Sequence, residues 1–166
     1  MVKNIIKQAS SFLLPITVLI LIPLMIERNI LIKHLITFFI GLILMIIGLS
    51  ILIITISTFI RIGKGTLAPW NPTKKLITSG LYGYVRNPMI TGVLITLFGE
   101  TIAIMSINLL LWTLIFFILN NIFFQLYEEP NLIKRFGVDY LDYKRNVPRW
   151  IPRLKPYDSD SELNNI

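Results

Sequence analysis

Apolar and polar positions alternate along this chain in long blocks rather than in short amphipathic periods. Four blocks are apolar enough to be read as helices in a bilayer, whose core of ~30 Å takes about 20 helical residues. Leu35 to Ile60 is free of charge and proline and is long enough to span with tilt. Phe12 to Ile26 is shorter and is interrupted by Pro15 and Pro23. Met89 to Ile107 carries one carboxylate, Glu100, and Asn108 to Tyr127 follows it almost without a loop, which predicts a tight antiparallel hairpin. After Tyr127 the period changes. Leu132, Ile133, Phe136, Tyr140 and Tyr143 recur at helical spacing among Lys134, Arg135, Asp139, Asp142, Lys144 and Arg145, which predicts a short amphipathic helix on the membrane surface, ended by Pro148 and Pro152. Tyr157 to Ile166 reads as a frayed polar tail.

The expected fold is therefore all-α and integral to the membrane, with about four transmembrane helices plus a C-terminal amphipathic interfacial helix. Residues 1–60 form an N-terminal helical pair and residues 61–166 a core of loop, hairpin and C-terminal segment. Composition agrees: 54% of the 166 residues are hydrophobic and 15% are charged, against roughly 25% charged in a soluble domain. Lys3 and Lys7 ahead of the first block resemble a signal peptide, but Glu27 and Arg28 follow the block directly and no small-residue cleavage site is visible, so it is read as a retained helix. Absence of cysteine excludes disulfides, thiolate metal sites and a Cys nucleophile, and the single His34 argues against a histidine metal cluster.

The net charge of +7 is a topology signal rather than a nucleic-acid footprint. Lys3, Lys7, the five cations between Arg61 and Arg86 and the seven beyond Tyr127 would share one side of a four-span protein, making fourteen of its sixteen basic residues. By the positive-inside rule that side, with both termini, is cytoplasmic, and a bacterial inner membrane is the expected location.

The two long polar segments on that side carry the candidate chemistry. Arg61 to Pro88 is rich in Gly, Pro and Tyr, an ordered-turn composition. Asn87 is a good helix cap and Pro88 fits a first turn, and free amides there, with Arg86, suit a carboxylate or phosphate. Glu128 and Glu129 stand at a helix C-terminus, where the dipole disfavours negative charge, and suit a cation or ribose hydroxyls. Glu100, about a dozen residues into a span, is costly if it faces lipid, so it is either a buried structural carboxyl bonded to Thr96, Thr101, Asn120 or Asn121, or functional. Tyr82, Tyr84, Trp70 and Trp150 read as interfacial anchors.

Taken together, the run Leu76-Ile77-Thr78-Ser79-Gly80-Leu81-Tyr82-Gly83-Tyr84-Val85-Arg86-Asn87-Pro88-Met89, then Gly92, Glu128-Glu129, Phe136-Gly137, Tyr140, Tyr143 and Val147-Pro148 resembles the integral-membrane methyltransferases, namely the isoprenylcysteine carboxyl and phospholipid N-methyltransferases. The resemblance covers about Leu76 to Pro152. It implies S-adenosyl-L-methionine as cofactor, with contacts from Leu76, Ile77, Tyr82, Arg86, Asn87, Pro88, Met89, Ile90 and Glu128. The forms Asn87-Pro88-Met89, where the isoprenylcysteine enzymes usually have Arg-His-Pro over the positions of Arg86 to Pro88, and Tyr127-Glu128-Glu129-Pro130 look more like the phospholipid enzymes. Phe124 stands where the isoprenylcysteine enzymes place a substrate-binding arginine, which argues against a prenylcysteine carboxylate substrate. The expected activity is methyl transfer to a lipophilic acceptor, a lipid amine or carboxylate, entering from the bilayer; Glu100 and Glu129 are the candidate catalytic carboxylates. The rival readings are a small transporter or channel subunit using Glu100, and an inactive methyltransferase-like scaffold.

Overall fold

A computed structural model describes residues 14–28, 30–63 and 75–157 of the chain. Among the described residues it is built of helices and turns. Helix α1 covers Leu14–Ile26, α2 Leu35–Gly63, α3 Pro88–Ile104, α4 Ile107–Phe123, α5 Glu129–Phe136 and α6 Val138–Asn146. The apolar stretch Leu35–Phe59 and the continuous helix Ile107–Phe136 are the two long and apolar enough to cross a membrane; Leu14–Ile26 and Pro88–Ile104 are shorter apolar helices. Apolar character in the second ends at Tyr127, so Glu128 and Glu129 lie beyond the spanning part. Trp70 and residues 12 and 13 of the first expected span lie outside the described residues.

Helices α2 and α3 lie antiparallel with their backbones in contact. Gly41 and Gly48 are one heptad apart on α2, and Gly92 and Gly99 one heptad apart on α3, so the two pairs meet, Gly48 on Gly92 and Gly41 on Gly99. A Cβ placed on Gly48 would stand 2.6 Å from the Gly92 carbonyl oxygen, and one on Gly99 2.7 Å from that of Gly41. Small residues permit this approach, which lets dispersion contacts hold helices together where lipid removes the hydrophobic drive. Beside the seam, Val18 and Leu19 of α1, Leu52 and Ile56 of α2 and Val93 and Leu97 of α3 form a buried core, against which Trp112 and Phe116 of α4 pack.

Two wide, π-helical turns interrupt the helices, each just ahead of a proline. In Thr17–Leu21 the Ile22 N–H donates to Thr17 O, five residues back. In that register Val18 O would need the N–H that Pro23 lacks. Trp112 supplies the donor instead, its indole Nε1 standing 3.3 Å from Val18 O. The second, Phe124–Glu128, joins α4 to α5 ahead of Pro130, with the Glu129 N–H donating to Phe124 O.

The hairpin of α3 and α4 turns at Met105, in the left-handed region at φ 54°, and Ser106 caps α4 by accepting from the Leu109 N–H. At this end of the bundle Glu27 accepts from Ser106 Oγ and, at 3.4 Å, from Asn108 Nδ2, while Lys33 Nζ donates to Met105 O at 3.2 Å. Sequence and structure differ in the C-terminal region. The expected single amphipathic helix is broken into α5 and α6 at Gly137, whose φ of 55° disfavours any other residue. Tyr157 is not frayed: its N–H donates to Gly83 O at 2.9 Å and its hydroxyl to Asp142 Oδ2 at 2.5 Å. It joins a second buried cluster with Tyr140, Tyr143, Val147 and Leu76.

Candidate active site

At the opposite end from Glu27, the turn before α3, the turn after α4 and the C-terminal segment are tied together. Asn87 opens α3, its Oδ1 accepting from the Ile90 N–H at 3.4 Å, with Pro88 at the first helical position, as the sequence predicts. Upstream, the 3-10 turn Gly80–Gly83 carries Tyr82. Tyr143 holds that turn by donating its hydroxyl to Tyr82 O at 2.7 Å. The segment after α6 runs back along it: the Arg86 N–H donates to Pro148 O at 2.9 Å and the Arg153 N–H to Tyr84 O at 3.0 Å.

Glu129 is the centre of this assembly. It is 5% exposed and accepts from three cations: Arg86 Nη1 at 2.8 Å, Lys144 Nζ at 2.6 Å and Arg149 Nη2. Arg86 also donates Nε to Val147 O at 2.7 Å, and Arg149 donates Nη1 to Asn121 Oδ1 at 2.8 Å, which links the C-terminal segment to α4. Burial alone would raise the Glu129 pKa. Hydrogen bonds from Lys144 and Arg149, with the charges of Arg149 and Arg86, outweigh burial and hold it below the usual carboxylate value. Glu129 is thus a carboxylate whose oxygens are committed to fixing three elements.

Glu128, its neighbour, is half-buried and makes no side-chain hydrogen bond among the described residues. Burial, and secondarily the charge of Glu129, pushes its pKa up to about 7. Tyr82 in turn faces Glu128: burial first and the Glu128 charge second raise its phenol above the ordinary range. Tyr82, Glu128, Arg86 and Asn87 are therefore brought to one place.

Of the other residues singled out, Ile77 and Pro88 are buried, and Leu76 packs on the Tyr140 cluster. Met89 packs on the core between α1, α2 and α3, and the Ile90 N–H is bound by Asn87. Glu100 is elsewhere. It lies 13 residues along α3 from Asn87, a rise of roughly 20 Å. The partners expected for it are engaged differently, Thr96 with Gly92 O, Thr101 with Leu97 O, Asn120 with Phe116 O and Asn121 with Arg149. One oxygen of Glu100 is buried without a partner. The structure does not bring Glu100 and Glu129 together. Trp150 packs on Phe117 and Phe124 of the α4 region, with ring centroids 5.2 Å and 6.5 Å away. Sequence reasoning passed over Lys144, Arg149 and Arg153. Their only signal was an excess of cations after Tyr127, which served there as a topology marker.

The phospholipid methyltransferase family profile matches residues 36–139, from the start of α2 into α6. The chain belongs to this family of integral-membrane methyltransferases. The phospholipid methyltransferase match takes in Arg86, Asn87, Glu128 and Glu129 and stops short of Lys144, Arg149 and Arg153. The chain is also similar to methanethiol S-methyltransferase 2 of Bradyrhizobium diazoefficiens, at 40% identity over 78 residues. That match covers 45% of this chain and 27% of the relative, so the chain spans well under half of that protein's length. No solved structure matches.

Proposed function

We propose that this protein transfers the methyl group of S-adenosyl-L-methionine to a lipophilic acceptor that reaches the site from the bilayer. The observation that carries the reading is the pairing of unlike groups at one end of the bundle in a methyltransferase-family chain: Glu128, a carboxyl group with no hydrogen-bond partner among the described residues, and, at the same end, Asn87, whose Nδ2 is a buried donor likewise without a partner among them. A buried donor left unmade costs roughly 1–3 kcal/mol, so a bound acceptor group is the natural complement. The cofactor's functional groups fit this set. Glu128 would accept from its ribose hydroxyls or amino group, and Asn87 Nδ2 would donate to an oxygen; at the α3 N-terminus Pro88 has no N–H and the Ile90 and Thr91 amides are already bound by Asn87. Leu76, Ile77, Tyr82, Pro88, Met89 and Ile90 would supply the apolar and aromatic walls.

When bound, S-adenosyl-L-methionine supplies an electrophilic methyl on a sulfonium centre. The chain's residues contribute position and exclusion of water, which suffice for an in-line displacement without a covalent intermediate. Glu129 orients Arg86, Lys144 and Arg149 and so fixes the floor of the site; its oxygens are occupied, which makes it a positioning residue. A carboxylate acceptor needs no base, because an anion and a sulfonium become two neutral products and low dielectric favours that step. An amine acceptor must arrive neutral, at about 4–5 kcal/mol for a Lys-like pKa at pH 7. Glu128, which titrates near neutrality, is the group suited to take that proton, ahead of Glu100, which lies deeper along α3. The thiol named for the Bradyrhizobium relative is a further acceptor class to screen.

Four spans, with the Glu128 end on the cytoplasmic side, give the polar cofactor and the apolar acceptor separate entries. The test is calorimetric titration of the detergent-purified protein with S-adenosyl-L-methionine, beside Glu128→Ala. Saturable binding weakened at least tenfold in the variant is the expected result. No binding at millimolar cofactor by folded protein would overturn the reading and favour transport through Glu100.

A further inference from the structure

Three side-chain donors at the Glu129 end are buried and have no partner among the described residues: Asn87 Nδ2, Arg149 Nε and Arg153 Nη1. The first is used above; the two guanidinium groups are not. Arg149 directs Nη1 to Asn121 and Nη2 to Glu129, leaving Nε. Arg153 is the more telling residue, because its half-buried side chain makes no hydrogen bond or ion pair among the described residues. A guanidinium cannot shed its charge. Burying one without a counter-charge is unfavourable, and folded proteins keep such groups where an anion completes them. The segment that carries both is held against the site, through the Arg153 N–H on Tyr84 O at 3.0 Å and the Arg86 N–H on Pro148 O at 2.9 Å. Among the described residues, the cations Arg86, Lys144, Arg149 and Arg153 at this end outnumber the acids Glu128, Glu129 and Asp142, and Asp142 is engaged by Tyr157 and Asn146.

We infer that Arg149 and Arg153 form a seat for an oxyanion, a carboxylate or phosphate group, carried into the site by one of the two reactants. The forked N–H groups of arginine match the paired oxygens of such an anion. The inference rests on the methyl-transfer reading and deepens it. The anion is either the carboxylate of the cofactor or an acidic group of the acceptor, and two arms of one experiment separate them.

Arg153→Gln removes a side chain that bonds to nothing among the described residues, so the fold should survive, and an unchanged thermal midpoint checks this. Arg149→Lys, which keeps the charge and loses the fork, is the second variant. Wild type and both variants are titrated with S-adenosyl-L-methionine, with its decarboxylated analogue, and with a short-chain phosphatidic acid as the simplest lipid phosphate. If the cofactor brings the anion, Arg153→Gln weakens S-adenosyl-L-methionine about 10- to 100-fold and leaves the decarboxylated form unchanged. If the acceptor brings it, both cofactor forms bind as in wild type and phosphatidic acid weakens by a similar factor. Affinities within twofold of wild type for all three probes, or equal losses for both cofactor forms, overturn the inference. A folded wild type that binds neither cofactor form overturns the methyl-transfer reading itself, and the seat with it.

Discussion

Each end of the bundle is closed by one glutamate, and the two are built on opposite principles. Glu27 gathers neutral donors, Ser106 and Asn108, and Ser106 in turn caps α4. Glu129 gathers three cations, and two of those, Arg86 and Arg149, are themselves largely buried. At the Glu27 end no buried side-chain donor among the described residues lacks a partner. At the Glu129 end, among the described residues, Asn87, Arg149 and Arg153 keep buried N–H groups unmatched. A closure that merely holds helices together has no use for surplus donors, and this surplus is what the proposed ligand site rests on.

The largest expected effect that tests this contrast is on stability. Glu129→Ala leaves Arg86 and Arg149 buried without a counter-charge, a loss of the order of 3–5 kcal/mol by analogy with broken buried pairs. Thermal unfolding in detergent should show a drop of many degrees, whereas a small shift would mean the cluster is not the clamp described. Because the Glu129 pKa is held below its unfolded value of 4.5, its stabilisation is complete at neutral pH and is lost as pH falls through the folded value. Next comes the seam: Gly48→Leu forces a side chain into the Gly92 backbone and should cost about 1–3 kcal/mol, read by the same melt.

A third prediction concerns pH. Glu128 titrates near pH 7, so cofactor affinity should rise as pH increases from 6 to 8, by up to about tenfold per unit below the pKa, and Glu128→Gln should flatten the profile. Glu27→Gln should be mild, since an amide oxygen still accepts from Ser106 and Asn108, at below about 1.5 kcal/mol. Smallest of all, Glu100→Gln should leave cofactor affinity within about twofold, consistent with its rise of roughly 20 Å from Asn87; a large loss would move the reacting centre into the bilayer.

The sequence made the helices legible because uninterrupted apolar runs such as Leu35–Phe59 leave no alternative, and it made the α3 start legible because Asn87-Pro88 is a local signal. What escaped it was non-local. The clamp on Glu129 joins residues separated by 43, 15 and 20 positions, and no periodicity links Arg153 to Tyr84. Two local signals held more than the pattern reading drew from them: the paired heptad glycines, Gly41 with Gly48 and Gly92 with Gly99, and the prolines at 23 and 130, the first read only as an interruption, that follow the wide turns. Glu128 and Glu129 are adjacent and chemically identical. Three cations hold one as a fixed anchor, while the other, with no hydrogen-bond partner among the described residues, has its pKa pushed up to about 7 by burial, a distinction that only packing can make.

The claim that chemistry belongs to the donor-rich end is tested most directly by photo-crosslinking S-adenosyl-L-methionine labelled in its methyl group and mapping the modified residues by mass spectrometry. The account predicts label within residues 76–90, at Glu128 or in the segment from Arg149 to Arg153. Label confined to the neighbourhood of Glu100, Glu27 or Ser106 would contradict it.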